Sequence, residues 1–300
     1  MITISTIQTA MYEAMCRAVT LIPPDVKLFL ARALEEETES LAKAHLELTL
    51  KNAEQAGSGD GLICGDTGYP LFFVTVGRDV EEIEGGFASL SDCAGEATVK
   101  ATEDCFLRPT MVEPLTRSNP GNNLGNEMPQ VNLEFDNTKE GIEIWAVPKG
   151  GGSEIFGTFY RMLYPSDGIA AVKKFVVDSV YQGCYSGKIC PPAIVGIGIG
   201  GTADICMKLA KKAAVLVPLG TSNTDPLISK LEKELMEALR GLGLGPMGSR
   251  GANAVLSLHI KTAMTHTAAL PVAVNAQCSI CRRHKAVITR DGQVSYTREC

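Results

Sequence analysis

Apolar residues recur every fourth position at Ile7, Met11 and Met15, which predicts an amphipathic helix near the start of the chain. Pro24 suits the first turn of a second helix running on through LFLARALEEE, and Leu41, Ala44 and Leu48 mark a third. Between Gly57 and Pro70 five glycines break the helical period, and the β-branched and aromatic run LFFVTVG follows. Helical register resumes from Phe87 to Cys105. Arg108 to Pro129 is dense in Asn, Gly and Pro and predicts a long ordered loop, after which QVNLEFD and GIEIWAV are expected to pair as a hairpin.

Beyond the second of these strands stands PKGGGS, residues 148–153, where a glycine run lets backbone amides approach a ligand. Ile169, Val172, Val176 and Val180 predict another helix. KICPP then leads into the apolar strand AIVGIGI, a helix over 202–213 and a strand in AAVLVPLG. Ile228, Leu231, Leu235 and Leu239 predict a helix stopped by Gly241, and strands are expected at 254–262, 270–276 and 285–289. Helices alternating with strands of both connection types predict an α/β fold, with mixed sheets and packed helices in one two-lobed domain. Its N-terminal helical segment covers about 1–56 and its core about 57–300, with glycine-rich junctions near 57 and 241.

Composition narrows the function classes. The 300 residues are 45% hydrophobic and carry 28 basic against 34 acidic side chains, net −6, without a long basic block. This argues against disorder and against a nucleic-acid footprint. The longest runs free of charge, Ile189 to Ala203 and Thr262 to Cys281, are too short or too interrupted to span a membrane, and the N-terminus lacks the pattern of a secretory signal. A cytoplasmic location is expected, where ten scattered cysteines are free thiols or metal ligands and not a disulfide framework.

Cys64, Cys190 and Cys278 stand apart because each lies in a Gly- or Pro-rich break or at a strand end. Three remote cysteines that meet in the fold would suit a 4Fe-4S cluster with one iron lacking a protein thiolate, a Lewis acid; ordinary buried thiols are the plain alternative. Cys278, Cys281 and His284 offer a rival zinc or redox site, though without an obvious fourth ligand. Gly196 to Gly201 fits a dinucleotide fingerprint, but no acidic residue closes the following strand, and close packing of helix on strand explains the glycines equally well. Asp66 could orient a substrate, accept a proton or form an Asx turn. Arg108 could clamp a carboxylate or cap a helix. His45 is expected at the surface or boundary, His259 on the more polar side of a strand, and His266 between two strands, where sites are often built.

Nine segments now acquire a common meaning: ICGDTG, ATVKA, FLRP, NLGNEMPQVNLEF, PKGGGS, YPSDG, CPPAIVGIGIGGT, GLGLGPMG and HTAALPVAVNAQC. Together and in this order, from about residue 60 to 290, they resemble the alpha region of the iron-sulfur hydro-lyases, the family of class I fumarases and L(+)-tartrate dehydratases. The resemblance implies that residues 57–300 form a cluster-binding core in which Cys64, Cys190 and Cys278 hold a 4Fe-4S cluster. It places Asp66, Arg108 and His266 on catalytic, substrate-contacting positions, with Gly150, Gly151, Gly152 and Ser153 lining the pocket. The substrate would be a small dicarboxylate, and the reaction reversible addition of water to a C=C bond.

Single-chain relatives carry a further C-terminal domain, so the resemblance implies an alpha subunit completed by a separate beta subunit, usually as α2β2. Fumarate hydration to (S)-malate is the expected activity, with L(+)-tartrate or mesaconate as alternatives. Many relatives have Gln after the first cluster cysteine. Gly65 stands here, which removes a side-chain amide beside the substrate carboxylate.

Overall fold

The computed structural model describes residues 1–297; Cys300 lies outside them. The chain divides into two compact units built from interleaved segments. The first comprises Met1–Pro23, Ala53–Gly151 and the described residues from Arg282 onward. The second comprises Pro24–Asn52 and Gly152–Cys281.

In the first unit, β1 (Tyr69–Gly77), β2 (Gln130–Asp136), β3 (Ile142–Lys149), β8 (His284–Ile288) and β9 (Val294–Thr297) form a sheet of order β2-β1-β3-β8-β9. The expected hairpin does not form. β1 inserts between β2 and β3, parallel to the former and antiparallel to the latter, because its run LFFV is apolar on both faces and takes the buried central place, whereas β2 alternates apolar residues with Gln130, Asn132 and Glu134. Helices α1 (Ile4–Thr20) and α4 (Ser89–Glu103) cover one face and bury Ile7, Met11, Met15, Leu90, Ala94 and Ala97 against it. Thr3 caps α1 by accepting a hydrogen bond from the N–H of Thr6 at 3.2 Å.

The second unit is built on a sheet of order β4-β7-β5-β6: β4 (Thr158–Leu163), β5 (Ala193–Ile199), β6 (Val255–Thr262) and β7 (Leu270–Gln277). Helices α6 (Gly168–Tyr185) and α8 (Pro226–Arg240) pack on one face and α7 (Ala203–Leu216) on the other, so β5 is buried on both sides and reads as an unbroken apolar run. The strand expected in AAVLVPLG does not form: residues 213–216 finish α7 and the following residues leave it. His259 shares the face of β6 that carries Ser257, as expected, but is buried there, its Nε2 lying 2.8 Å from Ser257 Oγ.

Helices α2 (Pro24–Glu36) and α3 (Ser40–Gly57) start close to the expected positions. The buried stripe of α3, however, is Ala42, Leu46, Ala53 and Ala56, while Leu41 and Leu48 are 61% and 64% exposed. Two apolar stripes compete on this helix, and tertiary packing selects the one with smaller residues. A six-residue helix, α5 (Gly151–Phe156), begins within the glycine run. No described helix is long and apolar enough to cross a membrane.

Candidate active site

The loop carrying Cys64 in the first unit is stitched to two neighbours. Asp66 accepts from the N–H of Gly68 at 2.9 Å through Oδ1, an Asx turn, and from the N–H of Gly151 at 2.7 Å through Oδ2. The carboxylate therefore fixes where the glycine run begins its helix. Gly68 lies so close to the end of β3 that an added Cβ would stand 2.1 Å from the carbonyl oxygen of Lys149, and its φ of +75° is the second reason only glycine fits.

Arg108 closes the same cluster. Its Nη1 donates to the Gly65 carbonyl at 2.9 Å, and its backbone N–H donates to Thr67 Oγ1 at 2.9 Å. The guanidinium is exposed and keeps further N–H groups for a carboxylate. Asn123, which sequence reasoning did not single out, holds this loop from beneath. It is buried at φ +62°, accepts from the N–H groups of Thr110 and Met111, and donates to the Arg108 carbonyl at 3.0 Å. Its signal was the Asn-rich loop itself, since asparagine tolerates the left-handed region and satisfies several backbone groups at once.

The second unit gathers another set at the end of its sheet where β5 starts and β7 finishes, Ile194 pairing with Gln277. Cys190 precedes β5 and Cys278 follows β7; the N–H of Ser279 donates to the Cys190 carbonyl at 3.2 Å. Cys190 has φ +52°, a left-handed conformation that costs a non-glycine residue about 1 kcal/mol or more, so something other than backbone preference keeps a thiol there. The start of α5 lies in the same place, because a Cβ on Gly152 would meet the Lys188 carbonyl oxygen at 2.4 Å. Ser153 is buried, and its Oγ donates to Gln277 Oε1 at 3.2 Å.

His266 joins neither hydrogen-bonded group. It sits in an exposed turn before β7, its Nδ1 accepting from the N–H of Ala268 at 3.2 Å. The eight residues of β7 separate it from Cys278, about 26 Å of extended strand.

None of the nine described cysteines is in a disulfide. Burial pushes the Cys16 and Cys184 thiols up to about 12 and Cys206 to about 11, and raises Cys93 as well, which marks these four as inert core residues. Cys281, although adjacent to the site, points its Sγ at the Ala214 carbonyl oxygen, 3.8 Å away. Among the described residues no three His, Cys, Asp or Glu side chains are grouped closely enough to hold an ion. A polynuclear cluster needs its ligands farther apart than a single ion does.

Buried donors are unmet on either side of Cys278 in sequence: Gln277 Nε2 before it, and Arg282 Nε and Nη1 after it, have no hydrogen-bond partner among the described residues. Arg282 is only 1% exposed. One acceptor nearby in sequence, Asn275 Oδ1, is also unmet. An unpaired buried N–H group on the residue next to a cysteine, as Gln277 Nε2 is, fits an anionic group carrying sulfur or oxygen acceptors.

The sequence model of the fumarate hydratase (Fumerase) family matches residues 8–287. The chain belongs to the fumarate hydratase family. Among similar members is a Methanocaldococcus jannaschii protein named provisionally as L(+)-tartrate dehydratase subunit alpha, 41% identical over 278 residues, covering 92% of this chain and 95% of that one. The L(+)-tartrate dehydratase subunit alpha of Escherichia coli K12 is 32% identical over 282 residues, 93% of this chain and 90% of its own. Within the fumarate hydratase family, glycines 196, 198 and 200 need no nucleotide to explain them. A Cβ on Gly196 or Gly198 would stand 2.0 Å from a carbonyl oxygen of α7, so they let helix and strand pack in contact.

Proposed function

We propose that this chain is the alpha subunit of a two-subunit 4Fe-4S hydro-lyase that adds water reversibly to fumarate, giving (S)-malate. The observation that carries the reading is the family match over residues 8–287, joined to full-length relatives whose names contain "subunit alpha". A second reading, L(+)-tartrate as substrate, is favoured by those same names. The two reactions share their chemistry. Loss of water from malate yields fumarate, and loss of water from tartrate yields an enol that becomes a 2-oxo dicarboxylate.

Cys64, Cys190 and Cys278 would hold the cluster, and the left-handed Cys190 backbone and the unmet amide donor of Gln277, the residue before Cys278, support that fit. The chemistry such a cluster supplies when bound is Lewis acidity from an iron without a protein thiolate, at the C–O bond that breaks or forms. Arg108 pairs one carboxylate of the substrate, its Nη1 bond to Gly65 setting the direction of the guanidinium. Gly65 leaves room there, and Gly150, Gly151 and Gly152 line the pocket with Ser153, the Gly151 N–H being held by Asp66. Asp66 holds the glycine run and stands ready to exchange the proton at carbon.

His266 acts on the site of a neighbouring copy in an α2β2 assembly, because within one chain β7 keeps it about 26 Å from Cys278. The beta subunit completes the site, and the enzyme works in the reducing cytoplasm.

Anaerobic reconstitution with iron and sulfide tests the cluster. Uptake of about four irons by the wild type, abolished in Cys64→Ser, Cys190→Ser and Cys278→Ser and retained in Cys281→Ser, is expected. Retention in Cys64→Ser with loss in Cys281→Ser would replace the reading with a local metal site. Turnover of fumarate against L(+)-tartrate by the chain assembled with its beta partner separates the two substrates.

A further inference from the structure

Gln277 is the last residue of β7, is 0% exposed, and directly precedes Cys278. Its Oε1 is occupied by the Ser153 hydroxyl at 3.2 Å, and its Nε2 has no hydrogen-bond partner among the described residues. A buried amide donor without an acceptor bears its full desolvation penalty, so an unmet one in a packed interior marks a missing partner. Exchanging the amide oxygen and nitrogen would not remove the problem. Ser153 would then accept, and Oε1 would be the orphan.

The surroundings decide which orientation serves a purpose. Gln277 lies opposite Ile194 at the sheet end where Cys190 and Cys278 leave the strands, with Ser279 bonded to Cys190. Thiolates and sulfides are acceptors only, so an amide beside them is useful when it presents its N–H, which is the orientation the Ser153 hydroxyl holds. Ser153 itself has its hydroxyl proton committed to Gln277 and so acts on the site through that residue.

We infer that Gln277 donates its free N–H to a sulfur of the iron-sulfur cluster held in part by Cys190 and Cys278, with Ser153 as the residue that orients the amide. The inference rests on the cluster reading above. An N–H···S bond draws electron density from sulfur and stabilises the more negative, reduced cluster, which raises its reduction potential. Gln277 is thus a positioning and tuning residue.

The test is an EPR-monitored redox titration of the reconstituted full chain with its beta partner, comparing wild type with Gln277→Leu, Gln277→Glu and Ser153→Ala. Gln277→Leu is expected to lower the potential by the equivalent of a tenfold or greater change in the one-electron equilibrium, 59 mV. Gln277→Glu lowers it further by adding negative charge, and Ser153→Ala lowers it less, because the amide remains but turns freely. Gln277→Glu keeps the size of the side chain and serves if the leucine variant fails to fold.

Equal iron and sulfide content with an unmoved potential in the Gln277 variants overturns the inference alone. A raised KM with an unmoved potential assigns the amide to the substrate, and overturns it too. A wild-type chain that takes up no cluster overturns the reading beneath it as well.

Discussion

Replacing Gly196 by alanine adds one carbon at the tightest contact between α7 and β5. That Cβ would stand 2.0 Å from the Ala210 carbonyl oxygen, 2.3 Å from the Ala214 nitrogen and 2.8 Å from the Ala214 Cβ. Ordinary contact begins near 3.4 Å. All three obstacles belong to helix backbone or to a side chain with no freedom to turn aside, so α7 must retreat by more than about an ångström. The helix buries Cys206, Ala210, Ala213, Ala214 and Val215, and a gap of that width forfeits a quarter to a half of the dispersion along its contact face. Overpacking usually costs about 1–3 kcal/mol; with backbone on the receiving side, about 3–5 kcal/mol is expected. Urea unfolding followed by far-UV circular dichroism measures it. Gly95→Ala is the control, since it lies inside α4 with only Leu124 Cδ2 nearby at 3.8 Å and should stabilise by about 0.5–1 kcal/mol. A Gly196→Ala midpoint indistinguishable from wild type would refute the close-packing account and reopen the nucleotide reading of this loop.

Four further outcomes follow from named contacts. Burial alone would raise the Glu37 carboxyl, but donation from Asn253 and from the N–H groups of Thr38, Glu39 and Ala252 holds it below its ordinary 4.5. Its contribution is therefore complete above that value and disappears as pH falls through the depressed folded pKa. Glu37→Gln should cost about 2 kcal/mol at pH 7 in a urea melt, and a deficit that does not shrink toward pH 3 would contradict the sign. Arg282→Met removes a buried guanidinium with unmet N–H groups, so the chain without bound groups should gain about 1 kcal/mol or more; a loss of that size would show a partner within the chain. Asn123→Ala strips the support of the Arg108 loop and should cost about 3 kcal/mol by the same melt, with an unchanged midpoint counting against it. Coexpressed His266→Ala and Cys278→Ser chains, each inactive alone, should recover about a quarter of wild-type turnover in mixed α2β2 assemblies if His266 serves the neighbouring copy; no recovery would place the two residues in one chain's site or outside it.

The helices were legible because their apolar residues repeat at the helical period: Ile7, Met11 and Met15 in α1 and Leu231, Leu235 and Leu239 in α8 needed no knowledge of neighbours. The sequence also determined the family, since nine motifs in order record a whole fold and not a local preference. It pointed to the cysteines and glycines of the proposed site through their Gly- and Pro-rich settings, and through the resemblance to their roles. Pairing was another matter. β2 and β3 are consecutive and strand-like, yet β1 lies between them, because strand order follows which residues bury best across the whole sheet. Strands β4 and β9 are short, and β4 exposes Tyr160 and Met162, so no alternation announced them. Gln277 and Arg282 carried no signal of their own in the chain, and Asn123 only that of its Asn-rich loop. A side chain's hydrogen-bond partners, or their absence, exist only once distant segments are packed together, which is why the tertiary structure alone revealed the unmet donors of Gln277 and Arg282 and the contacts by which Asn123 supports its loop.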